Sequence, residues 1–357
     1  MSDTGRTDEG PPTIAKIASV VGVSQATVSR ALSHPELLSP ATVERVQDAA
    51  RELGYIPNPA ARALSTGRHG NIALIVPDIA NPFFPPLIRG AQLAADAAGF
   101  CVFLGDCGEH AAREATLADK FAAQVDGLVL ASSRSPEESV HALARRRPLV
   151  LVNRDIGGVP RVLVNTAGAM RDAVAHLAGL GHKKIAYVSG PASSWSNQQR
   201  RKAVRQAAEQ HGTQLLVLPA GEPTYAVGEK ATGKILEGGC TAAVAFDDLV
   251  AQGIMAGLAS RGVAVPGQFS VVGCDDTLGA ITYPPLTTVA VPAGHAGRVA
   301  VELLLHVLAS GSSAREQARD DRYSLDSRLV VRATTGPPGP ARLPPPSRPS
   351  RGRANAP

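Results

Sequence analysis

Several kinds of sequence signal are missing from this chain of 357 residues. It contains no apolar run near the roughly 20 residues that a membrane-spanning helix needs. Its first segment, MSDTGRTDEGPP, is polar and lacks the apolar stretch of a secretory signal. We therefore expect a cytoplasmic protein without a membrane partner.

Signals of catalysis and of metal binding are also missing. The four cysteines form no C-x-x-C pair and no metal-ligand spacing with histidine, which favours buried free thiols. No G-x-G-x-x-G follows a strand, and neither a P-loop nor a G-x-S-x-G motif is present. We therefore expect no enzyme, no cofactor and no metal site.

The composition fits a globular protein of two or three domains, with 44% hydrophobic and 19% charged residues. The net charge of +5 is a weak indication of nucleic-acid binding, because much of it lies in the last segment. That segment, residues 336–357, is rich in proline and arginine and is predicted to be a disordered tail. Residues 1–12 are predicted to be a disordered arm.

Residues 13–54 predict three short helices around one small core. Ile14, Ile17, Ala18 and Val21 repeat at helical spacing behind Thr13, a favourable N-cap residue. Gly22 ends this first helix, and Ser24 is placed to cap the second. Two helices joined by a tight glycine-containing turn are the plan of a helix-turn-helix, whose second helix enters the major groove of DNA.

The second helix, in the stretch GVSQATVSRAL, has two unlike faces. Val28, Ala31 and Leu32 form an apolar face, and the opposite face carries Gln25, Ala26, Ser29 and Arg30. Glutamine can pair with adenine, alanine can meet a thymine methyl group, and arginine can pair with guanine. The hydroxyls of Ser24, Thr27 and Ser29 and the helix start behind Thr13 suit phosphate oxygens. From these residues alone, a merely solvated face is an equal alternative.

From Asn71 onward, apolar strands alternate with helical stretches in two successive series. Such alternation predicts parallel sheets covered by helices on both faces, here in two similar lobes with a cleft between them. Ligands bind beyond the carboxyl ends of the strands in open parallel sheets. The expected fold is thus an N-terminal all-α helix-turn-helix domain followed by an α/β core of two doubly wound parallel-sheet lobes.

Three motif blocks, GVSQATVSRAL, GYIPNPAARAL and IALIVPDIANPFF, occur in an order and spacing that resembles the lactose-repressor/galactose-repressor (LacI/GalR) family of bacterial transcription regulators. The resemblance runs from about Thr13 to Thr335. It implies a core like that of periplasmic sugar-binding proteins, and DNA binding by residues 13–57. It also implies a hinge helix in the linker 58–70, with Asn58, Ala61 and Leu64 on the DNA and Leu64 as the minor-groove wedge.

The resemblance further implies that a small-molecule effector, a sugar or a derivative, binds between the lobes. The residues at the matching positions are Asn81, Phe83, Phe84, Asn153, Arg154, Ser196, Arg200, Tyr225, Asp247 and Asp275. Arginine together with carboxylates is suited to recognising hydroxyl groups. The family commonly has an aromatic residue where this chain has Pro223, which leaves the particular sugar open.

The expected domain boundaries within 71–335 are a first lobe of about 71–163 with 294–322 and a second of about 164–291 with 323–335. One helix-turn-helix reads one half-site, so a two-fold operator implies a homodimer; a tetramer stays open. The function implied is a repressor controlled by its effector. The alternatives are a regulator without effector response, a sugar-transport receptor, which would need a secretion signal, and an enzyme of the doubly wound class.

Overall fold

The computed structural model describes residues 12–56, 68–310 and 320–339. Three helices form the N-terminal domain: α1 Ile14–Val21, α2 Gln25–Ser33 and α3 Pro40–Glu52. They pack around Ile17, Val28 and Val46, which are fully buried. Gly22 has a φ of 72°, a left-handed conformation that closes α1 and starts the turn into α2. The predicted helix-turn-helix is confirmed.

Two six-stranded sheets follow. The strands are β1 Asn71–Val76, β2 Cys101–Asp106, β3 Gly127–Ala131, β4 Leu149–Val152, β5 Arg161–Asn165, β6 Lys184–Ser189, β7 Gln214–Pro219, β8 Ala242–Ala245, β9 Ser270–Asp275, β10 Thr287–Ala290, β11 Arg322–Asp326 and β12 Arg328–Val330. The first sheet has the order β11-β5-β4-β3-β1-β2 and the second β12-β10-β9-β8-β6-β7. All pairs are parallel except β10 with β12.

Helices cover both faces of each sheet, as expected for parallel sheets. They are α4 Phe84–Ala97, α5 Ala111–Ala122, α6 Glu137–Arg146, α7 Ala167–Gly179, α8 Trp195–Gln210, α9 Tyr225–Glu237, α10 Asp248–Ala259 and α11 Ala293–Ala309. Separate apolar clusters fill the space on either side of each sheet. The predicted fold class is confirmed, and both lobes are doubly wound.

The chain passes between the lobes at three places within its described part: after β5, after β10 and after β11. The predicted boundary at 322/323 was wrong, because β11 pairs with β5 in the first sheet and only β12 belongs to the second. Ser327 is the crossing point, and its hydroxyl donates to the Asn165 carbonyl at 2.8 Å. The sequence pattern did not reveal β11, because its side chains are mostly exposed and do not form an apolar run.

The predicted start of the disordered tail at 336 was also wrong. Residues 336–339 lie against the second lobe, where the Gly336 N–H donates to the Ser270 hydroxyl at 3.0 Å. The ring of His182, buried beside them, lies 3.0 Å from the Gly336 carbonyl. The rest of the predicted tail and the arm 1–11 lie outside the described residues.

In each lobe, glycine allows two helices to pack with their backbones in contact. In the first lobe, α4 and α11 approach so closely that a Cβ at Gly297 would lie 2.0 Å from the Leu87 carbonyl oxygen. In the second lobe, α9 and α10 do the same, and a Cβ at Gly253 would lie 1.9 Å from the Tyr225 carbonyl oxygen. Any side chain at these positions would have to separate the two backbones.

We expect Gly297→Ala to lower the free energy of unfolding by about 1–3 kcal/mol, the usual cost of overpacking a core. Urea denaturation followed by circular dichroism measures the change. The control is Gly179→Ala, in a helix where nothing lies within 4 Å of the added Cβ, which should be neutral or stabilising by roughly 0.5–1 kcal/mol. Equal effects of the two substitutions would contradict the close α4–α11 contact.

Candidate functional site

The outward face of α2 is available to a ligand. Gln25, Ala26 and Arg30 are exposed, whereas Val28 and Ala31 on the other face are buried. The Ser24 hydroxyl caps the helix by accepting from the Thr27 N–H at 3.1 Å. The helix therefore presents an amide, a methyl group and a guanidinium side by side from its first turn onward.

The other residues predicted to contact DNA have local roles as well. The Thr13 hydroxyl caps α1 by accepting from the Lys16 N–H at 3.3 Å. The Thr27 hydroxyl lies 2.9 Å from that of Ser24, and Ser29 is partly buried. Asn58, Ala61 and Leu64 lie outside the described residues, so the hinge helix stays a prediction.

A narrow cleft with a cavity volume of about 30 Å³ lies between the lobes, beyond the carboxyl ends of both sheets. Its lining consists of Asn81, Phe83, Phe84, Glu109, Ser132, Arg134, Asn153, Ser194, Ser196, Arg200, Pro223, Phe246, Asp247 and Asp275. Eight of the ten residues predicted for the effector site are in this lining, the exceptions being Arg154 and Tyr225. This is the position that the topology of parallel sheets favours for a ligand.

Arg200 lies at the floor of the cleft in the second lobe and is 4% exposed. Its guanidinium donates to Asp275 Oδ1 at 3.1 Å, to the Phe246 carbonyl at 2.5 Å and to the Thr166 hydroxyl at 3.4 Å. It also lies over the Phe246 ring, 4.8 Å from the ring centre. One side chain on α8 thereby joins the ends of β8 and β9 and the start of α7.

Asp247 links the two lobes. Its Oδ2 accepts a hydrogen bond of 3.0 Å from Asn81 Nδ2 of the first lobe, and its Oδ1 caps α10 by accepting from the Val250 N–H. Burial, reinforced by the nearby charge of Asp275, raises the pKa of Asp247 to about 7. A hydrogen bond between two buried side chains, one from each lobe, therefore spans the cleft.

The first lobe contributes a second, partly buried ion pair, which sequence reasoning missed. Arg134 donates through Nε to Glu109 Oε2 at 2.6 Å and through Nη2 to Glu109 Oε1 at 3.0 Å. The side chains are 6% and 16% exposed. Each residue follows the end of a strand, β2 or β3, and this shared position is the sequence signal that could have identified them.

Backbone strain is concentrated in the cleft. Glu109, Ser132, Asn153 and Asp275 have φ values of 62°, 50°, 52° and 107°, which residues other than glycine seldom adopt. All four line the cleft. Such strain persists only where the surroundings enforce it, and it is often found at ligand sites. Here it aims the side chains that follow the strands toward the space between the lobes.

Two residues predicted for the effector site are placed elsewhere. Arg154 turns away from the cleft and donates to the Ser135 carbonyl at 3.3 Å. Tyr225 is 44% exposed and lines a surface groove beside α10. Arg154 comes two residues after the end of β4, and Tyr225 is the first residue of α9. At such ends of strands and helices the sequence does not determine the direction of the side chain.

No group of three or more histidine, cysteine or acidic side chains in the described part of the chain is placed to hold a metal ion. No helix in residues 12–56, 68–310 or 320–339 is both long and apolar enough to cross a membrane.

A helix-turn-helix joined to two doubly wound lobes around a closed polar cleft defines the class of DNA-binding regulators with a periplasmic-binding-protein-like core. Residues 13–58 match the model described as bacterial regulatory proteins, lacI family, and residues 174–335 match the periplasmic binding protein-like domain. The chain is 34% identical over 339 residues to the transcriptional repressor CytR of Escherichia coli K12, covering 92% of this chain and 97% of CytR. The chain belongs to the LacI family.

Other relatives agree. The transcriptional regulator DegA of Bacillus subtilis is 31% identical, with 91% of this chain and 98% of DegA covered. The lac repressor dimer bound to operator and an anti-inducer has a TM-score of 0.79 at 27% identity, covering 91% of this chain and 99% of that one. A complex of the regulator CelR with cellobiose has a TM-score of 0.68 at 29% identity, with 90% and 99% covered. These relatives are transcriptional regulators, and the protein is a DNA-binding transcriptional repressor of this family, not an enzyme.

The carboxyl of Asp248 is buried beside the cleft, and its titration tests the electrostatics of the cleft. Burial and the charge of Asp275 raise the pKa of Asp248 from 3.8 to about 7. The folded state then binds more protons than the unfolded state between about pH 4 and pH 7, so this group makes stability fall as pH rises through that window. One such carboxyl contributes at most about 1.4 kcal/mol per pH unit.

We expect Asp248→Asn to remove this contribution and to raise the free energy of unfolding at neutral pH. The amide can keep both contacts, because its oxygen accepts from the Leu278 N–H and its nitrogen can donate to the Thr288 hydroxyl. Urea midpoints measured across the window check this. Asp119→Asn, in an exposed ion pair with Arg146, is the control that should leave the slope unchanged. Identical slopes for the original chain and Asp248→Asn would refute the raised pKa.

Proposed function

We propose that this protein binds a palindromic DNA operator as a homodimer and is controlled by a small-molecule effector in the cleft between its lobes. The observation that carries the proposal is the presence, in one chain, of an exposed recognition face on α2 and a buried polar cleft with Arg200 and Asp275 at its floor. The operator and anti-inducer on the lac repressor and the cellobiose on CelR support it.

On DNA, α2 lies in the major groove with its first turns toward the base edges. Gln25, Ala26 and Arg30 read bases, and Thr13, Ser24, Thr27 and Ser29 contact phosphates. The linker residues Asn58, Ala61 and Leu64 form a hinge helix in the minor groove. A pair of leucines from two subunits there can unstack and kink a flexible central base step.

The effector controls this binding through the angle between the lobes. The three crossings allow the lobes to rotate, and the Asn81–Asp247 hydrogen bond forms only when they are close. A ligand that replaces or bridges this contact shifts the equilibrium between lobe arrangements and thereby the spacing of the two linkers. Effector affinity and DNA affinity must change by the same factor.

Selection from random duplexes tests the DNA-binding part of the proposal. The intact chain should enrich an inverted repeat with a flexible central step, and Leu64→Ala should weaken its binding. Arg30→Ala should cost about 1–3 kcal/mol and relax the preference at one base position in each half-site.

The matched control is Arg51→Ala, which also removes one exposed positive charge from the same domain, where Arg51 pairs with Asp48. It should leave the selected sequence unchanged. No enriched sequence from the intact chain, with or without a panel of sugars and nucleosides, would refute α2 as a recognition helix.

A face of the second lobe is suited to the homodimer contact. Ile281 and Tyr283 are 82% and 95% exposed on the loop that follows β9. Tyr283 also borders the groove along α10, together with Tyr225 and Met255. Large exposed apolar side chains beside a groove are typical of surfaces that bind another protein. We infer that the second subunit covers this face.

We expect the double substitution Ile281→Asp with Tyr283→Asp to convert a dimer to monomers and to weaken operator binding, because charges would be buried in the contact. Sedimentation equilibrium measures the mass. Tyr323→Asp, at an exposed tyrosine of the first lobe, is the control that should remain dimeric. A double variant that remains dimeric would place the contact elsewhere.

A further inference from the structure

The amino-terminal edge of the first sheet is the place where the core is joined to the helix-turn-helix domain. Strand β1 begins at Asn71, directly after the linker 58–70. At this edge the Asp126 carboxylate accepts from the N–H groups of His69 and Gly70 at 2.8 Å and 2.9 Å. The last residues of the linker are therefore held against this edge, and DNA bound by α2 is tethered on this side of the first lobe.

A run of three arginines lies at the same edge. Helix α6 ends with Arg145 and Arg146, and Arg147 leads into β4. The carbonyl of Pro148 accepts from the Leu128 N–H at 2.9 Å, at the start of β3. Strand β3 in turn pairs with β1, so two strand spacings separate the start of β4 from the start of β1. Neighbouring strands are about 4.8 Å apart, which places the arginine run roughly 10 Å to the side of the linker's end.

Two of these arginines have no side-chain partner in the described part of the chain. Arg146 donates to Asp119 Oδ1 at 2.8 Å. Arg145 and Arg147 form no ion pair and no side-chain hydrogen bond within residues 12–56, 68–310 and 320–339. Arg145 is exposed and Arg147 is partly buried, and the nearby Asp126 already accepts from two backbone N–H groups. The edge therefore carries positive charge that is available to a ligand.

A favourable helix end is the alternative role for this run, because cations near a helix C-terminus stabilise the helix. The corresponding helix of the second lobe, α10 between β8 and β9, has no basic residue in its last turn. Arg261, which follows α10, donates to the Gly257 carbonyl at 2.8 Å. The doubly wound fold therefore does not require three arginines at this position, and the run belongs to the edge that adjoins the linker.

We propose that Arg145 and Arg147 form a second DNA-contacting surface, which binds phosphates of the duplex beside the central part of the operator. This rests on the proposed function, because a linker seated in the minor groove brings the duplex against the edge of the first sheet. The minor groove is about 6 Å wide, so the phosphates that border it lie within reach of arginine side chains about 10 Å to the side of the linker. Guanidinium groups bind phosphate through two parallel hydrogen bonds and need no particular base sequence.

The salt dependence of DNA binding tests this surface. Each phosphate contact that is lost makes the slope of log affinity against log salt concentration shallower by about 0.9. We expect the full chain with Arg145→Ala and Arg147→Ala to bind its selected operator more weakly. For two lost contacts, the loss of affinity should be about tenfold larger at about 50 mM than at about 200 mM salt. Fluorescence anisotropy of a labelled duplex measures the affinities, and the selected sequence should stay the same.

Two further variants separate a phosphate contact from other effects of the charge. Arg201→Ala with Arg205→Ala removes the same charge from exposed arginines of α8 in the second lobe and should leave the slope unchanged. Arg145→Lys with Arg147→Lys keeps both charges and should keep the original slope. Urea midpoints report any loss of helix-end stabilisation, which changes unfolding but not the salt slope.

Three results would overturn the inference: an original slope in the Arg145→Ala, Arg147→Ala variant, an equal change in both alanine variants, or a lysine variant that behaves like the alanine one. Failure of the proposed function would appear separately, as the absence of an operator enriched by the original chain. The same salt series on a duplex of arbitrary sequence would then still test the two arginines, because phosphate contacts form on any sequence.

Discussion

Arg200 is only 4% exposed although its guanidinium is charged. The structure around the cleft is arranged to supply partners for that buried charge. A buried guanidinium without partners would cost several kcal/mol, so the chain brings a carboxylate, a carbonyl and a hydroxyl to it. These partners come from Asp275, Phe246 and Thr166, which lie at the end of β9, after β8 and before α7. Satisfying one charge therefore fixes the relative positions of three segments of the second lobe.

The same requirement explains why the strained residues of the cleft are retained. Asp275 reaches Arg200 from a φ of 107°, and Glu109 reaches Arg134 from a φ of 62°. Each unfavourable conformation costs of order 1–3 kcal/mol and is offset by the ion pair that it permits. In each lobe, one member of the ion pair thus has a strained backbone, and the two ion pairs lie on opposite sides of the cleft.

The packing within each lobe is much tighter than the connection between the two lobes. Within each lobe, glycine lets two helices approach until backbones touch, at Gly297 on α11 and at Gly253 on α10. Between the lobes, three crossings and the Asn81–Asp247 hydrogen bond make a much smaller connection. Closure can therefore change without repacking either core, which is the condition for a ligand in the cleft to be sensed elsewhere in the molecule.

Local sequence determined the helix-turn-helix, the alternation of strands and helices, and most of the cleft residues. Caps such as Thr13, Ser24 and Gly22 act within one turn, and apolar periodicity acts within one element, so both can be read without the fold. Cleft residues such as Asn81, Arg200 and Asp275 could be identified because the resemblance to the LacI/GalR family matches them to ligand-binding positions.

Tertiary structure alone decided which residues meet. The Glu109–Arg134 pair joins positions 25 residues apart, and the place of each residue after a strand end does not by itself tell that the two side chains meet. Strand β11 belongs to the first sheet because its backbone pairs with β5, although few of its side chains are buried. Arg154 turns from the cleft toward Ser135, and residues 336–339 extend the second lobe beyond the predicted boundary. These outcomes depend on long-range hydrogen bonds and ion pairs, whose partners no short stretch of sequence contains.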